Sequence, residues 1–331
     1  MDGGSLLSGL AVPWWPAEVL LRLAAALAIA WALDLFFGEP PNRWHPVAWL
    51  GQALAPLGRW LPTLAPAAGF SAGALAWIVV VGGVAMLALL LQAALLAAPA
   101  WWSVPLLAVL LKPAFAWRML HDEVAAVGQA LDSAAGEAGV TAGRHQVARL
   151  CSRDVAQLDA DGVRETAIET LAENLNDSLV APLFWWVLAG LPGAWAWRVV
   201  NTLDACWGYR GPWLWAGKWA ARADDMLAWL PARFSAVLLA PPSWRVLVQQ
   251  ARLTPSPNGG WPMAAMALHL GVRLHKPGVY VLNAGAPPPQ SAQLQQALRR
   301  CGQAAWAAVG LAGALLLALA GWRAFPGGMA A

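Results

Sequence analysis

Four carboxylates recur at every fourth position in one short stretch: Glu165, Glu169, Glu173 and Asp177, with Asn174 one residue beyond the row. On a helix of 3.6 residues per turn each step of four advances about 40°, so the four project from a common side. Three carboxylates and an amide with open positions suit Mg²⁺, a hard cation that takes oxygen ligands and keeps water and substrate phosphates in its shell. The same spacing also suits a solvated helix face, where like charges cost only about 0.2–0.5 kcal/mol per pair. Arg164 is placed to neutralise part of the row. Position favours chemistry: LVAPLFWWVLAG begins two residues after Asp177, and charge entering an apolar segment is costly unless it functions.

Further polar groups follow. Asn201 and Asp204 stand three apart on one helical face ahead of Tyr209 and Arg210, and Arg222, Asp224 and Asp225 precede the turn-like Pro231-Ala232-Arg233. Arg222 with Asp225 also reads as an i, i+3 surface pair. Asp154, after Arg153, also reads as the N-cap of the helix before the acidic row. Ser256-Pro257-Asn258-Gly259-Gly260-Trp261-Pro262 is packed with turn formers and could offer backbone amides to an anion, or be only a turn. Gly217-Lys218 lacks the rest of a phosphate loop, with Pro212 at its first position and Trp219 at its Ser/Thr position. His45, between Trp44 and Pro46, lies near Asp34 and Glu39; the other four histidines read as structural.

The elements that position these residues are set by composition. With 59% hydrophobic residues, 23 Trp, 12% charged residues and a mean hydropathy of +0.52, the chain is a membrane protein. Val19–Phe37, Gly73–Ala98, Trp101–Phe115, Leu179–Val200 and Ala304–Gly321 are candidate spans. The first carries Arg22 and Asp34, and the third is short and runs into Lys112 and Pro113, so four or five membrane helices are expected. No Lys or Arg precedes the first apolar stretch, which predicts that it is retained and not cleaved as a signal.

Eleven of the 18 acids lie between Asp122 and Asp177, and none follows Asp225. The final third keeps Arg233, Arg245, Arg252, Arg273, Lys276, Arg299, Arg300 and Arg323, which suits either cytoplasmic loops or an anion site. By that bias the loop with Arg43 and Arg59, the Lys112–Arg164 segment and the start of the last helix face the cytoplasm, with both termini outside. The three cysteines have no ligand spacing and read as reduced.

The expected fold is all-α and polytopic, one membrane-embedded domain over 1–331. It comprises N-terminal membrane helices (1–111), a cytoplasmic helical segment (112–178), a motif-rich core (179–290) and a C-terminal membrane helix (291–331). Within it FAWRMLHDEVAAVGQAL predicts an amphipathic helix, Gly136, Gly139 and Gly143 a turn, HQVARLCSRDVAQLD and GVRETAIETLAENLNDS two more helices, and 256–290 loops around one short helix.

An ordered succession of motifs then carries a resemblance. R-D at 153–154, A-x-x-E-T-x-A-E-N-x-x-D at 166–177 (with Thr166 where the family often has alanine), V-A-P-L-F-W at 180–185, P-G at 192–193, N-T-L-D at 201–204, G-Y-R at 208–210, A-x-x-D-D at 221–225, P-A-R at 231–233 and S-P-N-x-G-W-P at 256–262 resemble the adenosylcobinamide-phosphate synthase family of cobalamin biosynthesis. Asp34, G-E-P at 38–40, His45-Pro46 and Gly51 extend it, so it covers about 30–282. Gln250, Leu253 and Thr254 depart from a stretch where the family often has histidine and aspartate.

The resemblance implies a multi-pass enzyme of the cell (inner) membrane, its site facing the cytoplasm. It would join the free propionate carboxylate of (adenosyl)cobyric acid to aminopropanol or its phosphate through an amide bond, using ATP and Mg²⁺. A carboxylate must first be activated, plausibly as an acyl phosphate, which calls for a metal and cationic groups. On this resemblance Glu169, Glu173 and Asp177 bind Mg²⁺; Asn174, Asn201 and Asp204 orient ATP or metal-bound water; Arg153, Arg222 and Arg233 contact phosphates. Ser256 and Asn258 help hold the nucleotide, and Asp224 or Asp225 takes a proton from the amine, with Asp204 also in the catalytic set. Partners would be the corrinoid, the amine, the bilayer and other late enzymes of the pathway, with no nucleic acid. A transporter of cations or corrinoids and a non-catalytic scaffold are the alternatives; the first predicts two related halves, and no repeat is visible.

Overall fold

The computed structural model describes residues 15–324. In chain order its helices are α1 (Ala17–Phe37), α2 (Pro46–Trp60), α3 (Pro66–Leu96), α4 (Ala100–Leu111), α5 (Trp117–Asp132), α6 (Glu137–Val147), α7 (Ala160–Leu175), α8 (Ala181–Trp207), α9 (Lys218–Leu227), α10 (Trp229–Leu238), α11 (Trp244–Ala251), α12 (Gly260–Leu270) and α13 (Ser291–Ala324). A hairpin of β1 (Leu274–Lys276) and β2 (Tyr280–Leu282) is the only sheet among the described residues. Five helical stretches are long and apolar enough to cross a membrane: Ala17–Phe37, Pro66–Leu96, Ala100–Asp132, Ala160–Trp207 and Ser291–Ala324. They coincide with the five stretches expected from hydropathy. The three cysteines are free.

The chain divides into two compact units. The first comprises the chain up to Ala116, Ala181–Leu227 and Val309 onward. Here α1 packs on α4, and α3 packs on α8 and α9. Both charges that weakened α1 as a span are compensated internally. Arg22 Nη1 donates to Leu96 O (3.1 Å) and Ala98 O (2.7 Å), carbonyls at the end of α3 that have no partner within their own helix. Asp34 is fully buried, with the Lys112 ammonium 2.9 Å away. Lys112 also donates to Glu39, and His45 Nε2 lies 2.7 Å from the other Glu39 oxygen. Val47 N–H donates to His45 Nδ1 at 3.2 Å, capping α2 and leaving the ring proton on Nε2 for Glu39. Lys112, which in sequence only ends the third apolar stretch, is thus a buried counter-ion: two carboxylates claim it.

Segment 179–200 is helical but broken. Gly190 adopts φ 64°, and Pro192 follows inside α8. The buried Gln92 side chain of α3 accepts from Leu191 N at 2.7 Å, satisfying an amide that the break frees. A Cβ on Gly190 would lie 2.8 Å from Trp15 and 2.9 Å from Gln92 Nε2, so glycine is required there for both conformation and space.

The second unit comprises Trp117–Val180 and Ala228–Ala308. Its centre is α7, which contacts α5, α6, α12 and β1. Asp159 caps it, its side chain accepting from Gly162 N at 2.8 Å. Several local expectations are corrected here. The helix expected over HQVARLCSRDVAQLD ends at Val147, because Asp154 accepts from Ala156 N (2.9 Å) and Asp159 caps α7, each holding the chain in a turn. Asp154 is therefore not a helix cap. Gly139 and Gly143 lie inside α6 and not in a turn; a Cβ on Gly143 would meet the Leu131 side chain at 2.6 Å, so these glycines serve close packing. Pro231-Ala232-Arg233 is the first turn of α10, where proline's missing N–H has no helical acceptor to serve. The 256–290 region contains the hairpin as well as α12.

The buried Lys112 group generates a stability prediction. Lys112→Met leaves Asp34 and Glu39 buried without their cation, and should cost about 3–5 kcal/mol in unfolding of the detergent-solubilised protein. Asp34→Asn in the same background should restore part of it. Burial alone would raise the Glu39 carboxyl, but the His45 hydrogen bond and the Lys112 charge outweigh burial and hold it below 4.5. A depressed carboxylate stabilises the fold above its unfolded value, so wild-type stability should hold above pH 4.5 and fall as pH drops below it, more than in Glu39→Gln.

Candidate functional site

The acidic row is not a solvated face. Glu165 and Glu169 are each 1% exposed, on a helix that is buried almost all round. Buried charge is tolerated only when paired, and each has an arginine. Arg153 Nη2 donates to Glu169 Oε2 at 2.7 Å and its Nη1 to Thr166 Oγ1 at 3.3 Å. Arg273 Nε donates to Glu165 Oε1 at 3.0 Å, with His275 Nδ1 3.7 Å from the other oxygen. Burial alone would lower the Arg153 guanidinium; the charge and hydrogen bond of Glu169 outweigh it and hold it above its ordinary value. Glu169 Oε1 is buried, and no hydrogen bond to it is formed among the described residues; the Tyr280 hydroxyl lies near this carboxylate.

The row continues through Glu173, whose charged neighbours are Asp177, Glu169, Lys276 and Arg153. Beyond Leu175 the helix widens into a π turn, Asn176–Val180. Its i→i+5 pairing interrupts the regular helix there, and Asp177 remains a charged neighbour of Glu173. Asn176 Nδ2 donates to Asp177 Oδ1 (2.7 Å), while Asn176 Oδ1 accepts from Ser235 Oγ (3.1 Å) on α10. Asn174 turns its amide back to Thr170 O at 3.0 Å.

S-P-N-G-G-W-P folds as a closed turn against this face. Ser256 Oγ accepts from Asn258 N (3.2 Å) and Gly259 N (3.0 Å). Arg233 holds the turn from outside, donating to Asn258 Oδ1 (2.7 Å), Trp229 O (2.8 Å) and Pro257 O (3.2 Å). Its guanidinium is sandwiched between Trp229 and Trp261, 4.4 and 4.5 Å from the ring centres. Glycine at 259 admits the acid: a Cβ there would stand 2.6 Å from Glu173 Oε1.

Sequence reasoning missed the hairpin. It pairs Lys276 with Tyr280 across Pro277-Gly278, with Gly278 at φ 69° and Val279 N donating to Lys276 O. Proline then glycine before a β-branched run is the signal that was available. The hairpin brings Arg273, His275, Lys276 and Tyr280 to α7. Burial raises the Tyr280 phenol above its ordinary value and the Glu169 charge adds to this, so the hydroxyl keeps its proton.

The remaining candidates, Asn201, Asp204, Arg222, Asp224 and Asp225, lie in the first unit on α8 and α9. Asn201 Nδ2 donates to Asp224 Oδ1 at 3.3 Å. Asp204 sits where α8 ends, and a stacked Trp207–Trp213 pair (5.9 Å, 11°) follows it. Burial raises the Asp225 carboxyl, and Arg222 offsets this in part. Arg222 lines a cavity of about 320 Å³ with Phe70, Lys218, Trp219 and Met226.

Among the described residues no group of three or more His, Cys, Asp or Glu side chains is assembled as a ready metal cage. The donor set of the α7 face nevertheless fits a hard cation: all-oxygen, clustered in charge, with Glu169 Oε1 buried and making no hydrogen bond among the described residues. Mg²⁺ is held by one or two carboxylates with substrate phosphates more often than by a protein cage.

Comparison with known proteins places this chain. The family described as CobD/Cbib protein matches residues 27–305. The chain belongs to that family. The "Probable cobalamin biosynthesis protein CobD" of Methanothermobacter thermautotrophicus is 38% identical over 273 residues, 78% of this chain and 86% of the relative. The "Cobalamin biosynthesis protein CobD" of Rhodobacter capsulatus is 37% identical over 299 residues (84% and 92%), and that of Chromobacterium violaceum 37% over 318 (90% and 98%). No solved structure matches the chain. Membership of the CobD/Cbib family assigns the chain to cobalamin biosynthesis and agrees with the resemblance carried by the motifs.

The two adjacent glycines separate a packing role from a site role. A Cβ on Gly260 would collide with the Ala251 carbonyl, which cannot move cheaply, whereas one on Gly259 meets only the end of the Glu173 side chain. Gly260→Ala should lower the unfolding midpoint by several degrees, and Gly259→Ala should leave it within about one degree.

Proposed function

We propose that this CobD/Cbib family member is an ATP-dependent carbon–nitrogen ligase that joins the free propionate carboxylate of cobyric acid to aminopropanol or its phosphate. The observation that carries the reading is the buried α7 face, where Glu169 is enclosed and tied by one oxygen to Arg153, while its other oxygen makes no hydrogen bond among the described residues. A carboxylate so placed costs stability, and a protein keeps such a cost where a bound ligand offsets it.

In this reading the substrate carboxylate attacks the γ-phosphorus of ATP. A carboxyl oxygen–phosphorus bond forms, the bond to the ADP oxygen breaks, and an acyl phosphate results. The amine then attacks the acyl carbon; the C–N bond forms, inorganic phosphate leaves and the nitrogen gives up a proton. Glu169, Glu173 and Asp177 would hold Mg²⁺, which when bound supplies positive charge to the phosphates. In the second unit Arg153 would supply further cationic charge, Asn174 would orient polar groups of the nucleotide, and the turn at Ser256 and Asn258 shapes the wall beside Glu173, with Arg233 behind it. For the first unit the motif resemblance gives Arg222 a phosphate-binding role and Asn201 and Asp204 a role in orienting the nucleotide. Asp224 or Asp225 would accept the amine proton, and burial makes Asp225 more basic than an ordinary aspartate. The active face is assigned to the cytoplasm, where ATP is available.

Purified protein in detergent, given cobyric acid, ATP and Mg²⁺, should form the amide with aminopropanol or its phosphate, releasing ADP and phosphate in equal amounts with product. A transporter or a scaffold would yield no product. Glu173→Gln should lower turnover at least 100-fold while the protein stays folded, and should abolish the Mg²⁺-dependent rise in unfolding midpoint seen with ATP. Near-normal turnover of that variant at limiting Mg²⁺ would remove Glu173 from the metal role.

A further inference from the structure

One surface of the second unit is built inside out. In α10 the face turned to the protein carries small residues, Pro231, Ala232, Ser235 and Ala236, all buried. The opposite stripe carries Trp229, Leu230, Phe234 and Val237, each about half exposed. These recur at i, i+1, i+5 and i+8, an apolar arc about 140° wide that also contains Arg233. A water-facing helix places such residues inward. The pattern continues into α11, which buries Leu247 and exposes Trp244 and Val246. The two helices are joined by an unbroken stack: the Arg233 guanidinium lies between Trp229 and Trp261, and the Trp261 ring is 5.6 Å from that of Trp244.

We propose that α10 and α11 lie in the interface of the bilayer and form a lipid-contacting surface selective for anionic headgroups. Three features identify a lipid surface as the occupant. First, the helices have 10 and 8 residues, about 15 and 12 Å long, and cannot cross a hydrocarbon core of about 30 Å. Second, the exposed groups combine Trp, Phe and aliphatic side chains with Arg245 and Arg252, which are also exposed; amphipathic rings and long cations of this kind sit at headgroup depth. Third, no Asp or Glu occurs anywhere from residue 226 to the end of the sequence, so the patch is uniformly basic. It complements an anionic leaflet and repels a second copy of itself. The bilayer is already beside the chain, since five of its helical stretches are able to span one.

The test uses the full chain in lipid nanodiscs. With Cys151 and Cys206 replaced by Ser and Cys301 by Ala, single cysteines are placed at Phe234→Cys, Val237→Cys and Trp244→Cys and labelled with bimane; Ala135→Cys, in the exposed turn between α5 and α6, is the control. In discs containing phosphatidylglycerol, nitroxide-bearing lipid should quench the three probes several-fold more than it quenches the control, and aqueous iodide should do the reverse. Arg245→Glu with Arg252→Glu should reduce the lipid quenching at least two-fold in those discs and leave it unchanged in pure phosphatidylcholine. Strong iodide quenching at all three positions would overturn the proposal, as would protection from both quenchers with energy transfer between labelled copies, which would mark a protein interface. Unaltered quenching after the double charge reversal would overturn the anionic selectivity.

Discussion

The enclosure of two carboxylates within α7 governs the architecture of the second unit. Glu165 and Glu169 cannot be buried alone, and the cations that accept them come from segments outside the helix. Arg153 belongs to the irregular chain between α6 and α7, and Arg273 to the entry of the hairpin. Breaking one buried pair costs about 3–5 kcal/mol, against about 5–15 kcal/mol of net stability for a typical domain. Placement of the loop and the hairpin is therefore tied to the charge state of α7. The same enclosure stiffens the face on which Glu173 stands, and a rigid, pre-arranged carboxylate face is what phosphate chemistry needs.

The first unit solves the same problem with different parts. Charges on α1 would be costly against lipid, and each is answered from within the protein: Arg22 by the free carbonyls that end α3, Asp34 by Lys112. The break in α8 exposes backbone amides in a segment apolar enough to enter a bilayer, and Gln92 supplies the acceptor for one of them. In hydrocarbon an unsatisfied backbone group costs several kcal/mol, so a buried glutamine on α3 is the condition for a glycine–proline break on α8. G-E-P and His45-Pro46 serve this unit too, as the far side of the Lys112 group.

Hydropathy located all five spanning stretches, because membrane burial depends on a run of residues and not on any one of them. The acidic row and the motifs beside it were also legible as a candidate site, since repetition at four survives without knowledge of the fold. What failed were inferences that depend on partners remote in the chain. Lys112 read only as the charge that ends the third apolar stretch, because nothing local reveals Asp34, which is 78 positions away. Gly139 and Gly143 read as a turn because glycine used for contact looks the same in sequence as glycine used for conformation. Asp154 and Asp159 ended a helix that apolar spacing alone extends, since a short acidic side chain bonds its own backbone as readily as it tolerates a helix. The hairpin was lost because each strand has three residues, below the length at which alternation can be recognised.

The π turn after Leu175 shows why the row alone does not define the site. Asp177 stays a charged neighbour of Glu173, and it is also held by Asn176, which reaches Ser235 on the inner face of α10. The same helix carries Arg233, which holds the turn that meets Glu173, and on its outer face the aromatic stripe assigned to lipid. One ten-residue helix thereby joins the end of the acidic row, the glycine turn and the bilayer surface. A helix that short has little stability of its own and must be held by what lies on either side. If its outer face is lipid-bound, the leaflet becomes part of the scaffold that fixes the acidic face, and the lipid composition around the protein acts directly on the geometry of Glu173 and Asp177.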